Sequence, residues 1–231
     1  MVEFTKTWAI SKLPIQKNNN NNSLQRDPSH CKGVHMQFDS LDFYKVHAQR
    51  YSQLSHELTH SVYTGSSHPA LRGDMDLLNR VTELAWGKRG LDAGCGAGAR
   101  DVHLLHTRGY DVYGIDAVEE NIRLGREVHP EIEDKLSVAD LREPLPFESG
   151  FFDFVLCNAV IQHLTPDATE TTTIPELARV LAPGGVLQLM FKTGSGVATV
   201  SDRAYGGDGV DRSFQLYDEH RLLSILEGCG C

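Results

Sequence analysis

Cysteine is scarce and scattered in this chain. The five cysteines stand at positions 31, 95, 157, 229 and 231, with no C-x-x-C pair. That argues against a disulfide framework or a zinc ribbon, and for a reducing, cytoplasmic compartment. Positive charge is in deficit: 22 Lys and Arg face 31 Asp and Glu, giving a formal net charge of −9. Nucleic acid and anionic membranes are gripped by basic surface, so both are poor partners for such a chain. Long apolar runs are lacking as well. The longest, Phe151 to Ile161, includes Asp153 and Asn158 and falls far short of the ~20 residues of a membrane-spanning helix. No apolar h-region follows Met1, so no secretory signal is expected. What remains is an acidic globular chain of 231 residues, 40% hydrophobic, long enough to bury a sizeable core.

Residues 1–38 differ from the rest. Five consecutive Asn, 18 to 22, precede Asp27-Pro28-Ser29, and a polar tract that buries no apolar surface predicts a disordered tail. From Asp39-Ser40 onward, Leu41, Tyr44, Ala48, Tyr51, Leu54, Leu58 and Val62 recur at helical steps. A second helix opens near Pro69 and runs to about Trp86. Beyond Gly90, short apolar runs alternate with helical segments. The strands expected are 90–93, 111–115, 135–138, 152–157 and 186–191; the helices expected are 99–108, 118–128, 168–182 and 217–227. Such alternation implies right-handed crossovers and a parallel sheet with helices on both faces.

The first strand runs into Leu91-Asp92-Ala93-Gly94-Cys95-Gly96-Ala97-Gly98. Glycines in such a loop let the backbone turn sharply and a ligand approach it closely. Gly94, Gly96 and Ala99 also fit a dinucleotide fingerprint, so the loop alone does not fix the cofactor. Asp116 closes the second strand and Asp140 the third. Ligands of open parallel sheets lie outside the carboxyl ends of the strands, so Asp92, Asp116, Asp140 and Asn158 should line one rim. Strand-end Asp residues also cap helices; their recurrence at successive strand ends favours a binding rim.

Together, the glycine loop, Asp116, Asp140-Leu141, Asp153-Phe-Val-Leu-Cys-Asn158 and Arg179-Val-Leu-Ala-Pro-Gly-Gly185 resemble the class I S-adenosylmethionine (SAM)-dependent methyltransferases. The likeness is to their small-molecule, type 11-like branch and covers about residues 40–231. It implies an α/β, Rossmann-like doubly wound parallel sheet with flanking helices, and SAM as cofactor. It assigns cofactor contacts to Asp92, Gly94, Cys95, Gly96, Asp116, Ala117, Asp140, Leu141, Asn158 and His163. Asp116 would take the ribose hydroxyls, Asp140 the adenine amino group and the Leu141 backbone a ring nitrogen. The backbone near Asn158 would meet the methionine amino group. Pro183-Gly184-Gly185 would be a structural turn.

Methyl transfer from a sulfonium works by alignment, and orientation alone contributes ~7–11 kcal/mol. A base is required only for a protonated acceptor. His163 is the candidate, though packing against the cofactor is the favoured role. The acceptor, a small molecule, should meet the helix at 40–62, through Tyr51, and the Gly-rich connection from Thr193 to Gln215, through Arg203. That connection, over 20 residues long, reads as a lid or binding loop.

Other readings compete. His56-Glu57-Leu58-Thr59-His60 matches the zinc-protease pattern. With Tyr51 at 0° and ~100° per residue, however, its histidines fall near 140° and 180° while the apolar stripe centres near 20°. No metal site is therefore expected. A nicotinamide-dependent enzyme leaves Asp140 and the Pro-Gly-Gly turn unexplained. A methyltransferase-like module that binds SAM as a partner subunit, without turnover, is the non-enzymatic alternative. The expected domains are thus the tail, 1–38, and a methyltransferase domain, 39–231, in which helices within 40–86 cover a core at 89–231. The last two strands of the family's sheet have no counterpart here. A bare fifth strand at 186–191 would then expose an edge, inviting a dimer or a partner there.

Overall fold

The computed structural model describes residues 7–13, 40–57, 74–205 and 209–230. Two helices, α1 (Leu41–Glu57) and α2 (Asp74–Leu84), precede the alternating region. There β2 (Arg89–Ala93), α3 (Arg100–Thr107), β3 (Asp111–Asp116), α4 (Glu119–Val128), β4 (Leu136–Val138) and β5 (Phe152–Asn158) follow in turn. A helical segment then leads into β6 (Leu181–Lys192). Every pairing in this sheet is parallel, as the βα alternation requires.

The sheet has six strands, in the order β1-β6-β5-β2-β3-β4. The sixth corrects the expectation of a bare edge. Thr7–Leu13, inside the segment read as a disordered tail, forms β1 and pairs in parallel with Val186–Lys192. The backbone groups of β6 are therefore matched on both sides, and the argument for a dimer or partner at that edge lapses.

Burial on both faces explains the apolar strands. Along β5, Val155 and Cys157 join one core with Leu187, Leu189, Leu177 and Leu222. Phe154 and Leu156 point the other way, into a second core with Val81, Val102, Leu105 and Ile122. Near the start of β6 the chain depends on Gly185, where an added Cβ would sit 2.8 Å from the Asp153 carbonyl oxygen and 2.9 Å from that of Ala182.

Two local expectations change. The helix expected over 168–182 is broken into α5 (Pro166–Ala168), a π-turn over Thr169–Thr173 and α6 (Ile174–Val180). Within the π-turn the Thr173 hydroxyl donates to the Leu141 carbonyl at 2.8 Å, a bond that periodicity cannot reveal. The presumed loop from Thr193 to Gln215 is an antiparallel pair, β7 (Val197–Asp202) and β8 (Val210–Gln215). Its final residues lead to α7 (Glu219–Gly228), which Asp218 caps by accepting from Arg221 N–H at 2.9 Å. The zinc-protease pattern lies partly beyond reach: α1 ends at Glu57, and His60 lies outside the described residues. No helix of the described residues is long and apolar enough to cross a membrane.

Candidate active site

The site grows from the end of β2. The N–H groups of Gly94 and Cys95 both donate to the Ile115 carbonyl, at 2.8 and 2.9 Å, and carry the chain across the end of β3. Gly94, Gly96 and Gly98 have φ of 93°, 67° and 96°, left-handed values that a Cβ disfavours. At Gly96 a Cβ would also come within 3.0 Å of the Tyr51 ring.

Asp116 fastens this loop to α4. One carboxylate oxygen accepts from Gly96 N–H at 3.0 Å; the other accepts from Val118 N–H at 2.8 Å and Asn121 Nδ2 at 3.0 Å. Burial raises its pKa above the ordinary carboxylate value, and these three donors pull it only part of the way back. Asn121 lines the cavity beside it, and its Oδ1 is buried with no hydrogen-bond partner among the described residues. Beneath the loop, burial and then the neighbouring Asp101 raise Asp92 well above the usual range.

Asp140 stands at the far wall. Arg142 closes on it from two residues away, with Nη2 at 2.6 Å and its own N–H at 2.9 Å. Burial works to raise the Asp140 carboxyl, but the hydrogen bonds and charge of Arg142 prevail and hold it below its ordinary value. On the opposite side, the Asn158 Oδ1 accepts from Gln188 at 3.2 Å. Ala159 follows in the left-handed region at φ 58° and donates its N–H to Met190 O at 2.7 Å.

Helix α1 roofs the cavity. Tyr44 and Tyr51 line it from above, and the Tyr44 hydroxyl lies 3.0 Å from His163 Nε2. Arg212, on β8, donates to the same hydroxyl and to Asp202 at 2.7 Å. Since guanidinium only donates, Tyr44 is free to pass its own proton toward the imidazole. Burial, then the charges of Arg212 and Lys192, depress His163 to about 3. The ring is therefore neutral and a feeble base.

The cavity encloses about 740 Å³ of empty space, its open mouth included. Of the residues expected from sequence, Tyr51, Gly94, Gly96, Asp116, Ala117, Asp140, Leu141, Asn158 and His163 all line it. Asp92 and Cys95 lie beneath the loop, not on its surface, and Arg203 is exposed on the hairpin. The sequence reading missed Asn121, gave Tyr44 no role in the site, and noted Arg212 beside Arg203 in the connection without choosing it. Tyr44 was in view as part of the α1 stripe. Arg212 was signalled by the alternation Arg212-Ser213-Phe214 on a strand that had been read as a loop. Away from the cavity, His103 Nδ1 meets Glu131 Oε1 at 2.6 Å and stacks on His129 at 3.8 Å; these three hold donors close enough for a metal ion.

Comparison with known proteins agrees with this geometry. Residues 91–189 match the family model described as a methyltransferase domain. A trans-aconitate 2-methyltransferase of Azoarcus is 38% identical over 121 residues, covering 52% of this chain and 45% of that protein. A ubiquinone biosynthesis O-methyltransferase of Dechloromonas aromatica is 33% identical over 116 residues, covering 48% and 47%. The match thus spans just under half the length of these relatives. A SAM-dependent methyltransferase from Methanosarcina mazei superposes with a TM-score of 0.52 at 24% identity, over 62% of this chain and 79% of that one, a likeness of fold. The glycine loop, strand-end carboxylates and parallel sheet fall within the methyltransferase domain that residues 91–189 match, and the fold is that of SAM-dependent methyltransferases.

Proposed function

We propose that the protein transfers a methyl group from SAM to a small-molecule acceptor. The observation that carries this reading is the joining of the glycine loop to Asp116 at the mouth of a cavity that Asp140, Asn158 and Asn121 also line. These residues suit the cofactor. Glycines allow close approach, and Asp116 and the unpartnered Asn121 Oδ1 can accept hydrogen bonds from hydroxyls. When bound, SAM would supply an electrophilic sulfonium methyl for an acceptor lone pair.

The chain's own residues align and enclose. Tyr44 and Tyr51 exclude water from above, and Asn158, held by Gln188, presents the backbone at the strand end. His163 acts by packing and positioning, because its imidazole is buried, neutral and engaged by Tyr44. The trans-aconitate and ubiquinone-pathway relatives act, by name, on small molecules, which supports an acceptor of that size. The scattered, free Cys95, Cys157 and Cys229 support a reducing, cytoplasmic setting.

Titration calorimetry with SAM, S-adenosylhomocysteine and NAD tests the reading. Binding of both sulfur ligands and not of NAD is expected. Failure of both to bind would sink it. A SAM-binding partner module without turnover would bind both and release no S-adenosylhomocysteine with any acceptor.

A further inference from the structure

Next to the His163–Tyr44 pair, two cations share one aromatic ring. Lys192 Nζ, at the carboxyl end of β6, lies 4.7 Å from the centroid of Phe214, and Arg212 Cζ lies 5.0 Å from it. The His163 ring, which lines the cavity, is 5.5 Å from the same Phe214 ring. The two cations are not equivalent. Arg212 is committed, paired with Asp202 and bonded to Tyr44. It also sits against Phe43 at 5.2 Å and Tyr205 at 4.9 Å. Lys192 has no carboxylate within ion-pair distance among the described residues. Its ordinary pKa is lowered, by burial first and by Arg212 second.

A half-buried ammonium without a counter-ion is costly. The aromatic cage that could otherwise take an ammonium group is already filled by the Arg212 guanidinium. An amine acceptor therefore meets two cations and a blocked cage, and an uncharged acceptor leaves Lys192 uncompensated. An anion relieves both.

Resting on the methyltransferase reading, we infer that the acceptor is a small oxyanion whose carboxylate or phosphate pairs with Lys192 beside His163. Arg212 holds the wall of this subsite, and Lys192 supplies the charge that selects the acceptor.

The test measures S-adenosylhomocysteine release over matched pools of small carboxylates, phosphate monoesters, uncharged alcohols and phenols, and amines. Release is expected from one of the anionic pools, and which one distinguishes carboxylate from phosphate. Lys192→Met should then raise the acceptor KM by about tenfold or more while leaving SAM affinity by calorimetry unchanged. Lys192→Arg should restore most of the loss, separating lost charge from disturbed folding. Release confined to the uncharged or amine pools overturns the inference. So does an anionic acceptor whose KM ignores Lys192→Met, or SAM binding with release from no pool. Failure of SAM itself to bind would instead remove the methyltransferase reading.

Discussion

His163 is surrounded by groups that oppose its charge: Arg212 and Lys192 across the Phe214 ring, and the protonated Tyr44 hydroxyl at Nε2. Unfolded, the imidazole binds a proton near its ordinary value of 6.5; folded, it does so only at about 3. A depressed folded value contributes stability that is fully present above the unfolded pKa and lost as pH falls through the interval. Between these limits the unfolded chain holds more protons, so stability should fall by up to about 1.4 kcal/mol per pH unit from this group. Denaturant unfolding of the wild type and of His163→Gln from pH 7.5 to pH 5 measures the difference. The variant should show a flatter slope below about pH 6.5, and equal slopes would refute the buried-neutral assignment. His163→Gln should also retain measurable turnover, since positioning and not proton abstraction is lost. At this scale the sequence was informative wherever a residue closes a strand. Asp116, Asp140 and Asn158 each follow an apolar run, and the parallel sheet sends all three to one rim. Arg203 was a poor choice because composition alone singled it out, whereas strand alternation would have favoured Arg212.

Among the elements, β6 concentrates the consequences. Its opening stretch needs Gly185, where the two carbonyl oxygens against an added Cβ belong to the backbone and cannot swing aside. Gly185→Ala should therefore cost about 1–3 kcal/mol, as overpacking does, read from the midpoint of a urea melt. An unchanged midpoint would show that this stretch relaxes freely. The other edge of β6 depends on β1, paired from Thr7↔Val186 to Leu13↔Lys192. Removing residues 1–13 should strip those backbone partners, raise dye binding to exposed apolar surface and promote association at the edge. Indifference of both readouts would mean that β1 adds nothing. The two elements missed by the sequence reading share one cause. Thr7–Leu13 lies shortly before an Asn tract, and 197–215 is interrupted by Gly206, Gly207 and Gly209; in both, bulk composition masked a short strand. The strands of the core were legible because burial on both faces demands near-continuous apolar residues.

Across the whole molecule, the roof of the cavity is fastened to a hairpin from the far end of the chain. Helix α1 is tied to the hairpin by Arg50 Nε donating to Ala204 O at 2.8 Å, and by Arg212 donating to Tyr44. On its inner side Tyr51 stands against Gly96, over the loop that a cofactor must approach. We predict that passage of the cofactor involves α1 lifting away from β8. The Tyr44 hydroxyl joins Arg212 on one side to His163 on the other, so it fastens roof, hairpin and cavity wall at one atom. Tyr44→Phe keeps the ring and removes that fastening. A hydrogen bond to a charged group contributes about 1.5–3 kcal/mol, enough to shift the opening equilibrium by about tenfold or more. If opening limits passage in both directions, association and dissociation rates of S-adenosylhomocysteine should rise together, with little change in Kd. Surface plasmon resonance on the immobilised full chain resolves the two rates. A rise in dissociation alone would mean that Tyr44 contacts the ligand and does not gate it, and unchanged rates would mean that α1 is not the gate.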